Sequence, residues 1–318
     1  MKDSPELNHP WMIAIWPGMG NVAINAGYYL LAKLRMHLES ELTARELFEI
    51  GHVHVEKGMI RAGRLPRSRF FRWKNPGEGR DLIVFLGEAQ PPTGVYAFCR
   101  RIVDHARELG VERVFTFAAM ATPMALEHDS RVFIAATDPE AIEEGRRLKL
   151  EILDEAQISG LNGVLPEVAG EGGIEGICLL GEMPHVFTQV AYPKASLEVL
   201  RVFSKMAGIG IDLSDLERDS EAMNEQLKTL MSRIEEAIRA QQGGEAAVPA
   251  PGPDREKPPG LDPADRKRIE ELFEQAAEDR SKAYQLKQEL DRLKVFAKYE
   301  DRFLDLFKST KGPEEPET

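Results

Sequence analysis

The stretch at residues 11–34, WMIAIWPGMGNVAINAGYYLLAKL, decides the fold class that we predict for this chain. It begins with an apolar run typical of a buried strand, turns at Pro17-Gly18-Met19-Gly20, and continues as an apolar helical pattern. A strand that passes through a glycine turn into a helix is the first half of a βαβ unit. We therefore expect the turn at the carboxyl edge of a sheet, where such turns either bind a phosphate or only redirect the chain.

Short apolar runs alternate with helical patterns over the first 240 residues. We predict strands at residues 12–16, 48–56, 81–87, 113–119, 131–137 and 176–181. Helices are predicted at residues 21–38, about 95–109, from Asp138 onward, about 193–207 and about 214–240. Strands alternating with crossover helices indicate an α/β fold with a mostly parallel sheet, covered by helices on both faces.

Composition and charge limit the partners of the chain. The net charge of −12 over 318 residues argues against nucleic acid and against anionic membranes as partners. Residues 10–32 carry no charge, but proline, glycine and asparagine interrupt them, so we expect no membrane segment. The two cysteines, Cys99 and Cys178, form no disulfide framework, which indicates a reducing, cytoplasmic location.

The composition changes sharply near residue 241. We predict an α/β domain at residues 1–240, a Pro/Gly-rich linker at 241–262, an amphipathic helical segment at 263–310 and an acidic disordered tail at 311–318. The helical segment packs on its own core or forms a coiled-coil-like arm for a partner, and the long linker favours the arm. The partner-binding candidates on its apolar stripe are Leu286, Leu290, Leu293 and Phe296.

The glycine turn matches the loose dinucleotide pattern through Gly18, Gly20 and Ala23. Free amide groups at the start of the helix could hold an anion, with Asn21 at the N-cap position. No acidic residue closes a second strand at the expected distance, so a purely structural role of the turn is favoured. If the turn does bind a ligand, further contacts are expected from Glu88 and Gln90, which follow a neighbouring strand.

The segment at residues 57–80 is strongly basic, with eight Lys or Arg residues against one Glu. Arg67, Arg69 and Arg72 alternate here with aromatic residues, which could form a docking surface for an acidic protein. The simpler interpretation is a hairpin whose aromatic residues enter the core and whose arginines line a solvated edge. Single-stranded nucleic acid is a less favoured partner for the same residues.

The sequence contains none of the catalytic motifs Gly-x-Ser-x-Gly, His-Glu-x-x-His and Cys-x-x-Cys. One alternating strand carries His52, His54 and Glu56, which could bind zinc, but a half-exposed strand looks the same and is favoured. Single acid–base candidates follow predicted strands, and structural roles are favoured for them: Glu88, His128, Asp129, Glu182 and His185. We therefore expect no metal and no cofactor.

Taken in order, several short motifs resemble the proteasome assembly chaperone 2 family over about residues 10–240. They are WPGMGNVA at the first turn, FLGEAQPP at residues 85–92, and FAAMAT followed by RVFIAATD. A later pattern, YPKASLEVLRVFSKMAGIGIDLSDLERDSEAM, completes the resemblance.

The resemblance implies a three-layer α/β/α domain, similar to nucleoside phosphorylase-like folds, and a protein that binds other proteins as a homo- or hetero-oligomer. Family members that dock on proteasomes end in a hydrophobic-tyrosine-x tail, whereas this sequence ends in PEEPET, so docking by that route is not expected. We therefore predict a non-catalytic assembly or scaffold protein with protein partners, itself included. The alternative is a small-molecule or nucleotide-binding enzyme of phosphorylase-like fold that uses the Gly18/Gly20 turn.

Overall fold

The structure is a computed structural model that describes residues 7–50, 53–56, 58–242 and 261–308. Its strands are β1 (Trp11–Ile15), β2 (His37–Leu42), β3 (Val53–Glu56), β4 (Met59–Ala62), β5 (Ser68–Trp73), β6 (Leu82–Gly87), β7 (Arg113–Thr122), β8 (Val132–Ala136), β9 (Glu151–Ile152) and β10 (Glu175–Pro184). Its α-helices are α1 (Val22–Lys33), α2 (Val95–Glu108), α3 (Pro139–Arg147), α4 (Leu161–Glu171), α5 (Pro193–Ala207), α6 (Ser214–Gln242), α7 (Pro263–Glu278), α8 (Ala283–Arg292) and α9 (Phe296–Asp305).

An eight-stranded sheet forms the centre of the fold, in the order β2-β5-β6-β1-β7-β10-β8-β9. The four middle strands, β6, β1, β7 and β10, run parallel, and β8 runs parallel to β9. The pairs β2–β5, β5–β6 and β8–β10 are antiparallel. The predicted α/β class is therefore confirmed, and the sheet is mixed, with a parallel centre and antiparallel pairings on both flanks.

Helices cover both faces of this sheet, which gives three layers. One face is buried under α1, α3 and α5, whose apolar side chains join one core cluster with β1 and β10. The other face is buried under α2 and α4, around Phe98 and Leu165. The middle strand β1 is buried along its whole length because it is covered on both sides, which is why its sequence is continuously apolar.

The first helix ends five residues before the predicted end at residue 38, because the chain turns there into strand β2. Arg35 adopts a left-handed conformation with φ +51°, and the amide of Met36 donates to the carbonyl of Leu31. This is a Schellman-type C-terminus, formed here without the glycine that normally signals it. Strand β2 then pairs with β5, which lies in the basic segment at residues 57–80 and was not predicted as a separate strand.

Other elements also differ from the prediction, strand β3 and helix α4 among them. The strand predicted at 48–56 is described only from Val53 to Glu56, and it pairs with β4 outside the main sheet. Helix α4 was not predicted, because Gly163 and Pro166 lie inside it and both residues lower helix propensity. Its packing against α2 and the sheet stabilises it despite that propensity.

The structure confirms helices in the C-terminal segment but does not confirm a coiled-coil-like arm. The segment from residue 263 is not one long helix but the three helices α7, α8 and α9, which we call the C-terminal cap. The chain leaves helical geometry at Asp279, with ψ +100°, and at Lys294, with φ +55°. The apolar stripe then packs on the chain's own core, which was the alternative interpretation. The predicted 311–318 tail and most of the predicted linker lie outside the described residues.

Candidate functional site

The glycine turn lies between β1 and α1, as predicted, but three of its amide groups are already engaged. Gly20 N donates to Thr188 O at 3.0 Å, Asn21 N to Gly18 O at 3.0 Å, and Val22 N to Met19 O. Asn21 occupies the N-cap position with φ +51°, but its side chain makes no capping hydrogen bond. A phosphate would have to displace these carbonyls, so the geometry gives no support to the anion-binding interpretation of the turn.

The dinucleotide interpretation also fails on strand order. In that fold the acidic residue that binds the ribose ends the strand beside β1. Here β2 is separated from β1 by β5 and β6, and its two acidic side chains pair with arginines of β5. Glu39 lies 2.8 Å from Arg72, and Glu41 lies 3.3 Å from Arg69.

A crevice of about 380 Å³ opens at the carboxyl ends of β1, β7 and β10, as expected for an open α/β sheet. Apolar groups line most of it, including Trp16, Met19 and Leu180. Its polar lining comes from uncharged side chains, among them Asn162, whose Oδ1 is buried without a hydrogen-bond partner. The crevice is therefore suited to a neutral or weakly polar group rather than to a phosphate.

The structure separates the ligand candidates of the sequence analysis. Gly18 and Gln90 line the crevice, and Gln90 Oε1 accepts a hydrogen bond from Leu161 N at 3.1 Å, which caps helix α4. Glu88 does not line it. Its carboxylate is 2.6 Å from Arg64 Nη1 and accepts the backbone amide of Arg67 at 3.0 Å.

The basic segment is paired within the chain rather than free for an acidic partner. We call Arg64, Arg67 and Arg69 the arginine cluster. All three contact Asp301 of helix α9, at 3.3, 3.5 and 3.2 Å respectively. The docking role of Arg67, Arg69 and Arg72 stays a prediction; in the structure these side chains contact Asp301, Glu41 and Glu39 of the same chain. The aromatic residues between them, Phe70 and Phe71, are fully buried, as the simpler interpretation expected.

The apolar stripe of the C-terminal cap is likewise occupied. Leu286 and Leu290 are fully buried, and Leu293 and Phe296 pack partly buried against the same cluster. Helix α1 helps to bury this stripe: its Tyr28 forms edge-on contacts with Phe296 and Phe303, at 5.0 and 5.5 Å between ring centroids. These residues bind their own chain, so the structure does not present them to a partner.

Two further acid–base candidates at strand ends, Glu182 and His185, make structural contacts in the described part of the chain. Glu182 is buried and accepts hydrogen bonds from Thr122 and from the guanidinium of Arg131, which lower the pKa of its carboxyl to about 2. The ring of His185 contacts the Thr122 carbonyl at 3.1 Å. Within the described residues, no group of three His, Cys, Asp or Glu side chains is placed to hold a metal. His52 lies outside them.

A surface that the sequence analysis did not single out is the two-stranded sheet of β3 and β4, which we call the apolar ribbon. It pairs with no other strand among the described residues. Four of its side chains are large, apolar and exposed: Val53, Val55, Met59 and Ile60, between 53% and 72% exposed. Alternation places Val55 opposite Ile60 on one face. The sequence pattern that could have predicted this surface is the run of alternating apolar residues on a strand that no helix follows.

Fold and surface together define a three-layer α/β protein with an exposed apolar ribbon and an added helical cap. The model of the PAC2 family matches residues 12–231. The chain belongs to the PAC2 family, as its short motifs indicated.

Solved structures and curated relatives agree with this assignment. The Pyrococcus furiosus protein PbaB, described as an archaeal proteasome activator, is 26% identical with a TM-score of 0.61, covering 72% of this chain and 96% of its own. P. furiosus PbaA, an archaeal homolog of proteasome-assembly chaperone, is 26% identical with a TM-score of 0.56, covering 75% and 94%. An uncharacterized Methanocaldococcus jannaschii protein, MJ1210, is 26% identical over 76% of this chain and 91% of its own. None of the helices in the described ranges is long and apolar enough to cross a membrane.

Proposed function

We propose that this chain is a non-catalytic, chaperone-like assembly protein of the cytoplasm that acts by binding proteins, including further copies of itself. Family membership supports a chaperone-like, protein-binding role, because similar proteins are described as a proteasome activator and as a homolog of a proteasome-assembly chaperone. The observation that carries the proposal is the apolar ribbon. Four large apolar side chains lie exposed on a hairpin of two four-residue strands.

A hairpin of this size is unstable in water by itself, and packing against another surface is the usual remedy. Among the described residues, no other strand pairs with either outer edge of the ribbon, and such edges can pair with a strand of a partner. Exposed apolar patches of this kind mark protein interfaces. We therefore assign the ribbon to the contact with a protein partner, and to homo-oligomer formation first.

Sedimentation of the full chain at micromolar concentration tests this proposal. We expect a species larger than the 35.6 kDa monomer. The double substitution Val55→Asp and Ile60→Asp places two charges opposite each other on the ribbon and should shift the protein to monomer. Val186→Asp with Leu230→Asp is the matched control, because both residues are similarly exposed but lie outside the ribbon. A clean monomer for the unchanged chain would exclude the homo-oligomer.

A second candidate function rests on the crevice at the sheet edge. The unpartnered Asn162 Oδ1 and the uncharged, largely apolar lining suit a neutral planar molecule such as a nucleoside. The phosphate of a nucleotide would have to compete with the carbonyls that accept hydrogen bonds from the Gly20, Asn21 and Val22 amides. Calorimetric titration with adenosine and with ATP tests it: adenosine should bind at least as tightly as ATP, and Asn162→Ala should weaken binding. Absence of heat with both compounds, or tighter binding of ATP, would contradict this candidate.

A further inference from the structure

The C-terminal cap lies beyond the fold that this chain shares with its relatives. The family match ends at residue 231, whereas α7 begins at Pro263. PbaB covers only 72% of this chain with 96% of its own length, and PbaA covers 75% with 94%. Those proteins therefore form the α/β fold with little chain left to supply a corresponding cap. The surface beneath the cap therefore belongs to the shared α/β fold, whereas the cap itself is an addition to that fold.

The apolar part of the contact has the form of one helix in a groove. Phe296 and Phe303 lie seven residues apart on one face of α9, and Phe307, four residues further on, follows just after the end of the helix at Asp305. Phe296 and Phe303 pack on Tyr28 of α1, and Phe307 contacts Phe71 of β5 at 6.2 Å between ring centroids. The groove therefore has walls of α1 and β5, and both walls are parts of the α/β domain.

The polar part of the contact is charge-complementary. Glu300 and Asp301 lie between the aromatic residues, and both face the α/β domain. Glu300 accepts the phenol hydrogen of Tyr28 at 2.7 Å, and Asp301 meets the arginine cluster. Next to this contact, Arg69 Nη1 and Glu88 Oε1 lie 3.4 Å apart as a buried ion pair within the α/β domain, without hydrogen-bond geometry. The carboxylate of Asp301 is half-exposed, so water screens its ion pairs with the arginine cluster and these pairs hold the cap only weakly.

The cap also closes an open sheet edge. Strand β2 is the outermost strand, and the amide of Leu38 on that strand donates to the carbonyl of Phe307 at 2.7 Å. Unpaired edge groups are sites where other chains add to a sheet. The cap therefore covers, in one chain, an aromatic groove, a basic cluster and a sheet edge, and each of these features is one that protein partners recognise.

We propose that the face formed by α1, β2 and β5 is a docking surface for an amphipathic helix that carries an acidic pair between aromatic residues, and that the C-terminal cap is its displaceable occupant. The kind of partner follows from the occupant: aromatic residues at i, i+7 and i+11, with carboxylates at i+4 and i+5. Residues 243–260 join the cap to α6, which keeps it at an effective concentration on the order of millimolar. At that effective concentration the cap occupies the surface in the isolated chain. A partner on a separate chain must displace the cap in order to bind.

The experiment uses the full chain with a protease recognition sequence inserted between residues 243 and 260. After cleavage, a fluorescently labelled fragment of residues 261–318 is added and its anisotropy is followed. We expect the labelled fragment to exchange into the cleaved protein, and to bind the uncleaved protein at least about 100-fold more weakly because the tethered cap competes. No exchange over a day, or loss of the cooperative melt of the α/β domain on cleavage, would show that the cap is an integral part of the core and overturn the proposal.

Matched variants of the labelled fragment test the chemistry of recognition. Asp301→Asn removes the partner of the arginine cluster and should weaken binding about tenfold, with a smaller salt dependence. Asp305→Asn is the control, because Asp305 pairs with Lys308 within the cap at 2.8 Å. Equal weakening by both variants would contradict docking through the arginine cluster. These outcomes do not depend on the apolar ribbon, so a failed exchange leaves the proposed function untouched, and the reverse also holds.

Discussion

The phenol of Tyr28 donates a hydrogen bond to Glu300 across 2.7 Å, joining the first helix to the last over 272 residues of sequence. Tyr28 is 1% exposed, and Phe296 and Phe303 enclose its ring. Burial raises the pKa of both partners, and the charge of Glu88 raises the pKa of the Glu300 carboxyl further. This contact fixes which face of the C-terminal cap meets helix α1.

The pH dependence of stability follows from that carboxyl. The pKa of Glu300 is higher in the folded chain than in the unfolded chain, so the folded state binds this proton more tightly. Its contribution to stability is therefore most favourable at low pH and declines as pH rises through the folded pKa. We expect Glu300→Gln to unfold with a higher free energy than the unchanged chain at pH 7, and the difference to vanish near pH 4. Urea unfolding at the two pH values measures this; a constant difference would contradict it.

Leu290 should be important for attachment of the C-terminal cap. It is fully buried against helix α1, so Leu290→Ala should lower the free energy of cap attachment by about 2–4 kcal/mol. Hydrogen exchange of the α8 and α9 amides measures the loss, while α2 amides stay protected. Ala297→Gly is the control with an exposed side chain, at a cost of about 1 kcal/mol for helix propensity. Equal loss of protection in α2 would instead show one cooperative unit.

The two glycines of the first turn should respond differently to substitution. Gly20 has φ +60°, and an added Cβ would lie 2.7 Å from the Met183 sulfur, so Gly20→Ala should cost about 1–3 kcal/mol. Gly18 is extended, with φ −164°, and an added Cβ would have no atom within 4 Å. Gly18→Ala should therefore be nearly neutral. Thermal unfolding of both variants checks this, and similar losses would contradict the difference between the two sites.

Acid should weaken the fold through Glu182. Hydrogen bonds from Arg131 and Thr122 lower the pKa of this buried carboxyl to about 2. The folded pKa is depressed, so the contribution is complete above the unfolded pKa near 4.5 and is lost as pH falls toward 2. Glu182→Gln should cost about 2 kcal/mol at pH 7, because Arg131 is half-exposed and partly screened. The difference in unfolding free energy between the variant and the unchanged chain should shrink below pH 4. A difference at pH 3 equal to that at pH 7 would show that the Glu182–Arg131 pair is not its source.

Local pattern was enough for the α/β class and for most elements of the first 240 residues. The continuous apolar run of β1 requires burial on both faces, and helix α5 was predicted over the residues that form it. The family motifs followed from the same stretches. Helix α4 and the end of α1 were missed because packing overrides the low propensity of Gly163 and Pro166, and because Arg35 turns the chain without glycine.

The sequence by itself determined the α/β class, the βα turn at residues 17–20 and the apolar stripe of the C-terminal segment. Only the tertiary structure decided what those features contact. A stripe such as Leu286 and Leu290 is equally apolar whether it faces a partner or its own chain, because periodicity records a face and not its neighbour. Likewise, the charge of Arg69 says nothing about Asp301, which lies 232 residues away in sequence and 3.2 Å away in space. Contacts over such distances are set by the topology of the sheet and the packing of its layers, which no local window of sequence contains.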